Sequence, residues 1–496
     1  MGIIIRQSVQ NAIISYVGIA LGFVITIIMV PKILTTEQYG LTRVLLSLAV
    51  VGTQFSNLGI NNTVVRFFPY FKDKEENHHG FLFLTLIVPL CGFIFFGALF
   101  VLFRDSITNL FVERSALLVD YYWYLLPLTL FILFFNVLNY FTRALYDTVM
   151  ASFLNEVLIR VLTAILLVAY LMGWLTFEQF MIIFVVNYGV ITTALFLYTL
   201  FYKNISLRPD FNFLSRPLLK DIFSYGLYAF WGGVASIIVT NIDIIMLSSL
   251  AGLDETGIYA IAFYVGSVIL VIRSSVYKIS ASIISSAFKD EDHELIQDIY
   301  KRSSLNQIIG GGLLFCGVIA NLDNLMSLLP EAYAGGAIVI IIIAAANLFD
   351  MSTGLNSAII LNSKHYRFDL YSTIFLIIIT VLLNYLLIPE YGILGAAIGT
   401  ATAIFLYNSI KVVFVWIRLS MQPFEWQMLF VIAIGALILF LSFQVDTIGN
   451  IYLDIVVRSA VITVIYLAPI LAMNISKDLN HLVDKSVSDI RKFFVR

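Results

Sequence analysis

Apolar runs of about 18 residues or more recur along the whole 496-residue chain. As a helix, each run is long enough to cross a hydrocarbon layer ~30 Å thick. Water does not reach the backbone in that layer, so only helices or closed barrels can span it. A barrel would show segments of ~10 residues with alternating polarity. The runs here are continuous, which selects helices. The charge content agrees: 12% of residues are charged, against roughly a quarter in a soluble domain, and the mean hydropathy is +0.95. The expected fold is an all-α, polytopic membrane protein with about fourteen transmembrane helices.

The expected spans are 8–30, 41–64, 80–103, 118–145, 153–173, 178–202, 219–247, 256–281, 303–322, 333–361, 367–388, 392–417, 425–444 and 451–473. The first is too long for a signal-peptide core and lacks a small-residue cleavage pattern, so it reads as a retained helix. An even count places both termini on one side. About twenty of the 29 Lys and Arg residues lie at the termini and in the loops after even-numbered spans. The opposite loops carry Lys32, Arg104 and Arg114. This asymmetry makes both termini cytoplasmic. The opposite loops are short, the longest being Arg104–Leu117. That argues against a membrane-bound sugar polymerase or ligase, which needs a large external catalytic loop. No GxxxxGK[ST] sequence occurs, so no nucleotide-binding domain is expected. Cys91 and Cys316 lie in apolar runs and suggest neither disulfide framework nor zinc site. His78-His79 sits in a charged loop and reads as solvated rather than metal-binding.

The stretch Lys203–Lys220 is polar and basic, with Pro209 and Pro217, and separates six spans from eight. The expected organisation is a six-helix bundle over 1–207, a cytoplasmic linker over 208–220 and a second six-helix bundle over 221–420. Spans 13 and 14 follow over 421–475, then a cytoplasmic amphipathic tail over 476–496. In that tail Leu479, Leu482, Val483, Val487, Ile490 and Phe494 recur at helical spacing. The bundles look like copies. Ile27-Ile28-Met29 returns as Ile244-Ile245-Met246, and Glu37…Gly40 as Asp254…Gly257, both at an offset of 217. Asn136…Tyr146 matches Asn356…Tyr366 at 220. A near-constant offset over two helices, with the same topology in each half, implies two pseudo-symmetric bundles, an arrangement in which transporters bind substrate between the repeats. Gly40 and Gly257 are expected at turns needing positive φ. Gly392, Gly395 and Gly399 share a face that would admit a neighbouring backbone.

Polar residues inside the spans are the functional candidates. Arg43, Ser47, Gln54, Asn57 and Asn61 form one stripe along span 2, which lipid would reject. The stripe faces either a water-filled cavity or neighbouring helices. Span 1 carries a milder version, and span 7 gathers Ser236, Thr240 and Asp243 on one face. Among the cations, Lys278 and Arg458 lie near span ends and can snorkel to the headgroups. Arg160 has Glu156 four residues before it, a favourable helix pair. Lys411 lies two turns from the cytoplasmic end and is open to either reading. Arg273 is deep in span 8 with no acid three or four residues away, and a cation there costs ~2.5–3.5 kcal/mol. A water-filled cavity or an anionic substrate would offset that cost. Asp350, mid-span in span 10, and Asp243 can couple transport to a proton or sodium gradient, or pair with an arginine from another helix.

The segments Leu34-Thr35-Thr36-Glu37-Gln38-Tyr39-Gly40, Asp254-Glu255-Thr256-Gly257-Ile258-Tyr259-Ala260 and Pro389-Glu390-Tyr391-Gly392-Ile393-Leu394-Gly395-Ala396-Ala397 carry a resemblance. With six plus six repeated helices and two extra, the chain resembles the multidrug/oligosaccharidyl-lipid/polysaccharide exporter superfamily, and within it the polysaccharide flippases. The resemblance covers nearly the whole chain, but its motifs are short and structural. It implies alternating access and a substrate of undecaprenyl-pyrophosphate-linked oligosaccharide, flipped across the bacterial cytoplasmic membrane for surface polysaccharide biosynthesis. It implies a cationic cavity, to which Arg273, Arg43, Gln54, Asn57 and Lys411 are the candidate contributors. Membrane lipids and other surface-polysaccharide assembly proteins are the partners it implies; no cofactor, metal, enzymatic activity or nucleic-acid partner is expected. A drug/cation antiporter of the same superfamily is the rival, disfavoured by spans 13 and 14 and by the in-membrane cations. Reporter fusions at Arg496 and within Arg104–Leu117 should report opposite sides of the membrane; the same side for both would refute the even count.

Overall fold

The structure, a computed structural model, describes residues 2–73, 77–203, 205, 207–210, 213, 215–445 and 449–494. The side chains of Ser236 and Lys278, the linker residues 204, 206, 211, 212 and 214, and the tail side chains beyond Lys485 lie outside the described residues. All regular structure described is helical. The chain forms two compact units, Met1–Gly257 and Ile258–Arg496.

In the first unit, α1 (Gly2–Phe23) runs into a π-helical turn, Val24–Met29, and a final turn holding Pro31. Helix α2 (Thr36–Asn57) opens with a capping box. The Thr35 hydroxyl accepts from the Gln38 N–H at 3.1 Å, and the Gln38 side chain accepts from the Thr35 N–H at 3.2 Å. It ends at Leu58 and Gly59, both left-handed with φ of 50° and 79°, and α3 (Ile60–Phe71) departs at 43°. Helices α4 (Phe81–Leu102), α5 (Leu125–Ala144), α6 (Ile159–Leu171), α7 (Phe177–Leu197) and α8 (Arg216–Leu250) follow. The second span is thus longer than the expected 41–64 and bent. The close neighbour explains where it bends: a Cβ at Gly59 would collide with the Gly226 carbonyl oxygen on α8. Because α8 packs along α2 and α3, the unit runs past the linker expected at 208–220. Phe68, Phe71, Phe81 and Phe141 interlock at its core, with the Phe71 and Phe81 rings stacked at 4.3 Å. Lipid tails are as apolar as these rings, so fitted contact rather than water exclusion holds them.

Two glycines depart from expectation. Gly40 and Gly257 are helical, not turn residues with positive φ. Their role is close approach. A Cβ on Gly40 would meet the backbone carbonyl of Leu253, at the start of α9 (Leu253–Gly266), and a Cβ on Gly257 would meet that of Thr36. Thr36 and Leu253 stand at the same offset of 217 as the two glycines, so the crossing is reciprocal. The Thr36 hydroxyl donates to Asp254 beside it.

The second unit holds α10 (Leu270–Lys289), α11 (His293–Ala320), α12 (Gly336–Ser352), α13 (Asn356–Asn362), α14 (Arg367–Leu419), α15 (Trp426–Ser442), α16 (Ile451–Ala472) and α17 (Lys477–Phe494). Helices α12 and α13 meet at 44° around Gly354, whose φ is 68°. Here Gly392 is the turn glycine, breaking α14 at φ 53° and ψ −128°, while Gly395 and Gly399 admit Leu387 and Asn384 from the preceding arm. Arg458 does not snorkel. Its Nε donates to Asp454 at 3.2 Å, and Nη1 and Nη2 donate to the carbonyls of Ser442 and Val445 at the end of α15. The tail helix α17 is tied at its start, where Asn306 donates to Asp478 at 2.8 Å and accepts from Ser476 at 2.6 Å.

By length and composition, eight described helices could cross a bilayer, or eleven if each of three bent pairs is one span. The difference from fourteen has identifiable sources. The stretch expected as span 8 is interrupted between α9 and α10, α14 contains two expected spans, and α15 has 17 residues. Gly40→Ala and Gly257→Ala should each lower stability by about 1–3 kcal/mol, as overpacking does. Because either Cβ parts the same crossing, the double variant should melt close to each single one. Additive losses in detergent-solubilised thermal midpoints would refute the shared contact.

Candidate functional site

The span 2 stripe lies on α2 and α3. Gln54 and Asn57 are buried, at 8% and 3% exposure, as is Ser47. Gln54 Nε2 donates to the Phe230 carbonyl on α8 at 3.3 Å, and Gly233 leaves room for its amide. The oxygens of Asn57 and Asn61 have no hydrogen-bond partner among the described residues. Arg43 is half-buried over the Tyr39 ring, 4.7 Å from its centroid. It forms no ion pair among the described residues, and its Nε is unbonded. Asp243 is buried on α8. Arg160 pairs with Glu156 at 3.0 Å, and Gly18 makes the space for them.

In the second unit Arg273 Nη1 meets Asp350 Oδ2 at 2.5 Å, joining α10 to α12. The Arg273 side chain keeps 38% of its surface exposed and Asp350 10%. A guanidinium has five N–H donors. Among the described residues no bond of Arg273 beyond this pair occurs. Asp350 follows the buried Asn347 by three residues, and Asn347 donates to the Gly266 carbonyl at 3.2 Å. The pairing supplies the counter-charge that no local residue of α10 offers.

Lys411 is placed differently. It is fully enclosed, at 0% exposure, and its ammonium reaches Ser357 Oγ at 2.7 Å, Asp369 at 2.5 Å and the Tyr407 hydroxyl. An ammonium has three protons, and all three are occupied. In this conformation Lys411 joins α13 to the two arms of α14 and presents no donor to a ligand. A chain of hydrogen bonds connects this joint to the Asp350 backbone: Thr353 Oγ1 donates to the Asp350 carbonyl at 2.7 Å and lies 3.3 Å from Asn408 Oδ1, while Asn356 donates to Thr353 at 3.4 Å and accepts from the Ser357 N–H at 2.7 Å.

Sequence reasoning missed Asp369, because no helical period links position 369 to 411; it also missed Tyr407, although its place four residues before Lys411 puts both on one helix face. It also missed Asp147, between α5 and the helix Val149–Phe153, which accepts from Lys203 at 2.5 Å and Tyr198 at 2.6 Å. Burial pushes that carboxyl up, but the two hydrogen bonds outweigh it and hold it below its usual range. His78 is buried rather than solvated, and His79 contacts Asp210 at 3.1 Å. No cluster of three or more metal-ligating side chains occurs among the described residues.

Comparison with known proteins bears on this arrangement. Residues 7–283 match the family described as polysaccharide biosynthesis protein. An uncharacterised membrane protein of Methanocaldococcus jannaschii is 27% identical over 276 residues, 53% of this chain and 52% of that protein. The capsular polysaccharide biosynthesis protein CapF of Staphylococcus aureus is 25% identical over 201 residues, 40% of this chain and 49% of that protein. The chain thus spans about half the length of these curated relatives. In fold it is similar to the lipid II flippase MurJ in an inward closed conformation, with a TM-score of 0.72 and 13% identity, covering 94% of this chain and 97% of that one. It is also similar to an inward-facing multidrug resistance MATE transporter of the MOP superfamily, with a TM-score of 0.61 and 18% identity, covering 81% and 94%. The match over more than half its length shows that the chain belongs to the polysaccharide biosynthesis protein family, with a multi-pass helical membrane fold similar to those two structures.

Proposed function

We propose that this protein is a flippase that moves an undecaprenyl-pyrophosphate-linked oligosaccharide from the inner to the outer leaflet of the bacterial cytoplasmic membrane by alternating access. The observation that carries this reading is the pair of arginines, Arg43 on α2 and Arg273 on α10, which keep N–H donors unengaged among the described residues. A guanidinium in that setting is an anion receptor, and its fork matches phosphate oxygens bidentately. The family membership and the names of CapF and MurJ supply the chemistry of such an anion, a lipid-linked saccharide for a surface polymer. Gln54 and Asn57 would supply neutral hydrogen bonds to sugar hydroxyls once α2 and α8 part. An inside-negative potential favours outward movement of the anion by ~2.3 kcal/mol per charge per 100 mV. Lys411 serves this function as a joint that holds α13 and α14. Asp350 or Asp243 would couple the cycle to a proton or sodium ion.

The drug/cation antiporter reading shares the fold but needs an accessible carboxylate. Asp350 is already neutralised by Arg273, whose positive charge would repel a cationic drug, so the anion reading is favoured.

Loss of the gene should trap lipid-linked oligosaccharide on the cytoplasmic leaflet, as read by leaflet-selective labelling and lipid extraction. Unchanged leaflet distribution together with lost drug resistance would select the antiporter instead. Arg43→Ala should reduce export at least about tenfold at wild-type protein levels, whereas Arg43→Lys should recover part of it. Cysteines at Gln54 and Asn57 should react with a water-soluble thiol reagent faster when substrate is supplied; a rate indifferent to substrate would make the stripe a packing surface.

A further inference from the structure

Asp350 is held in a way that the reading above does not use. Its carboxylate meets Arg273 through one guanidinium nitrogen at 2.5 Å, and it has no other side-chain partner among the described residues. The turn that follows it is fixed. Gly354, at φ 68°, breaks the helix, Thr353 bonds back to the Asp350 carbonyl, and Ser357 is gripped by the enclosed Lys411. Lys411 in turn is locked by Asp369 and Tyr407. The carboxylate therefore stands on an anchored element. The Arg273 side chain is long, flexible and 38% exposed. Of the two partners, the arginine is the one free to swing.

We propose that Asp350 is a built-in competitor for the anionic group of the transported lipid, holding Arg273 when the protein is empty and recapturing it to eject the phosphate. The proposal rests on the reading that Arg273 receives that phosphate. Three arguments support it. An unpaired guanidinium within a membrane protein's helices is unfavourable, and Arg273 has no aromatic face of the kind Arg43 finds in Tyr39 among the described residues, so in the empty protein it needs an anion in place. An arriving pyrophosphate offers several oxygens and more charge than one carboxylate oxygen, so it wins the fork on contact. A carboxylate fixed beside the arginine acts at high effective concentration, so it limits the net affinity and raises the dissociation rate. The same exchange gives selectivity. A neutral or cationic lipid cannot replace Asp350, because separating the pair without a substitute anion leaves two unpaired charges. Asp350 is then a positioning residue that sets affinity and release, while Arg273 makes the contact.

Farnesyl pyrophosphate, with farnesol as the neutral control, tests this on the full-length protein in lipid nanodiscs. Asp350→Asn should bind farnesyl pyrophosphate at least about tenfold tighter than wild type, with farnesol binding unchanged, and should export more slowly in cells. Equal or weaker pyrophosphate binding by a folded Asp350→Asn overturns the proposal. If that variant does not fold, the wild-type protein gives the answer through labelling by dicyclohexylcarbodiimide. Farnesyl pyrophosphate should speed modification of Asp350 several-fold by releasing it from Arg273, and no acceleration overturns the proposal. Arg273→Ala tests the underlying reading separately. It should lose pyrophosphate binding, and binding at wild-type strength would remove Arg273 from the site altogether.

Discussion

Inside a hydrocarbon layer a charged group has no water to fall back on, and this constraint sorts the cations of the chain by what each has found instead. Lys411 has found three partners and full enclosure. Arg458 has found Asp454 and the open carbonyls at the end of α15, where it closes a helix terminus as a cap would. Arg160 has its neighbour one turn away. Arg273 is satisfied at one nitrogen, and Arg43 by the face of Tyr39. The series runs from cations committed to architecture towards cations with capacity left over. The candidate site follows from that remainder rather than from any motif.

The apolar part of the structure obeys a complementary rule. With no water to exclude, helices associate where their surfaces fit, and the tightest fits need side chains to be absent. Gly59 against Gly226 and Gly40 against Leu253 are places where one backbone enters the volume a Cβ would fill, and at Gly233 the Gln54 amide does so. The breaks at Leu58–Gly59 and at Gly354 are part of the same economy of space. Each lets one run of sequence serve two packing directions, and the second sets Asp350 beside a fixed turn.

Much of this was legible in the sequence because bilayer thickness and charge cost act on composition directly. The apolar runs, the stripe from Arg43 to Asn61 and the isolation of Arg273 all appear as periodicities or gaps along the chain. The family resemblance rested on the segments around Gly40, Gly257 and Gly392. What was not legible depends on distance through space. Nothing along the sequence says that Arg273 meets Asp350 or that Lys411 meets Asp369, since the first pair comes from separate helices and the second from the two arms of α14 on either side of Gly392. The purpose of a glycine was also ambiguous: Gly40 and Gly257 looked like turn residues and are contact residues, whereas Gly392 looked like a contact residue and is the turn. A missing side chain serves both ends, and sequence alone does not say which. His78 reads as polar and solvated because composition does not reveal the left-handed loop that folds it inward.

The reciprocal crossing of Gly40 and Gly257 bears on descent. At the offset that relates these glycines, Arg43 corresponds to Ala260 and Arg273 to Ser56; at the offset of 220, Asp350 corresponds to Leu130. The steric element has been kept in both copies while every one of these charges is present in a single copy. Close packing and charge therefore fall on different subsets of the matched positions. A backbone contact between twins cannot drift on one side without its partner, but a charge on one twin is free to be gained or lost alone. Members of the family are accordingly expected to agree at the glycines and to differ at the unpaired charges.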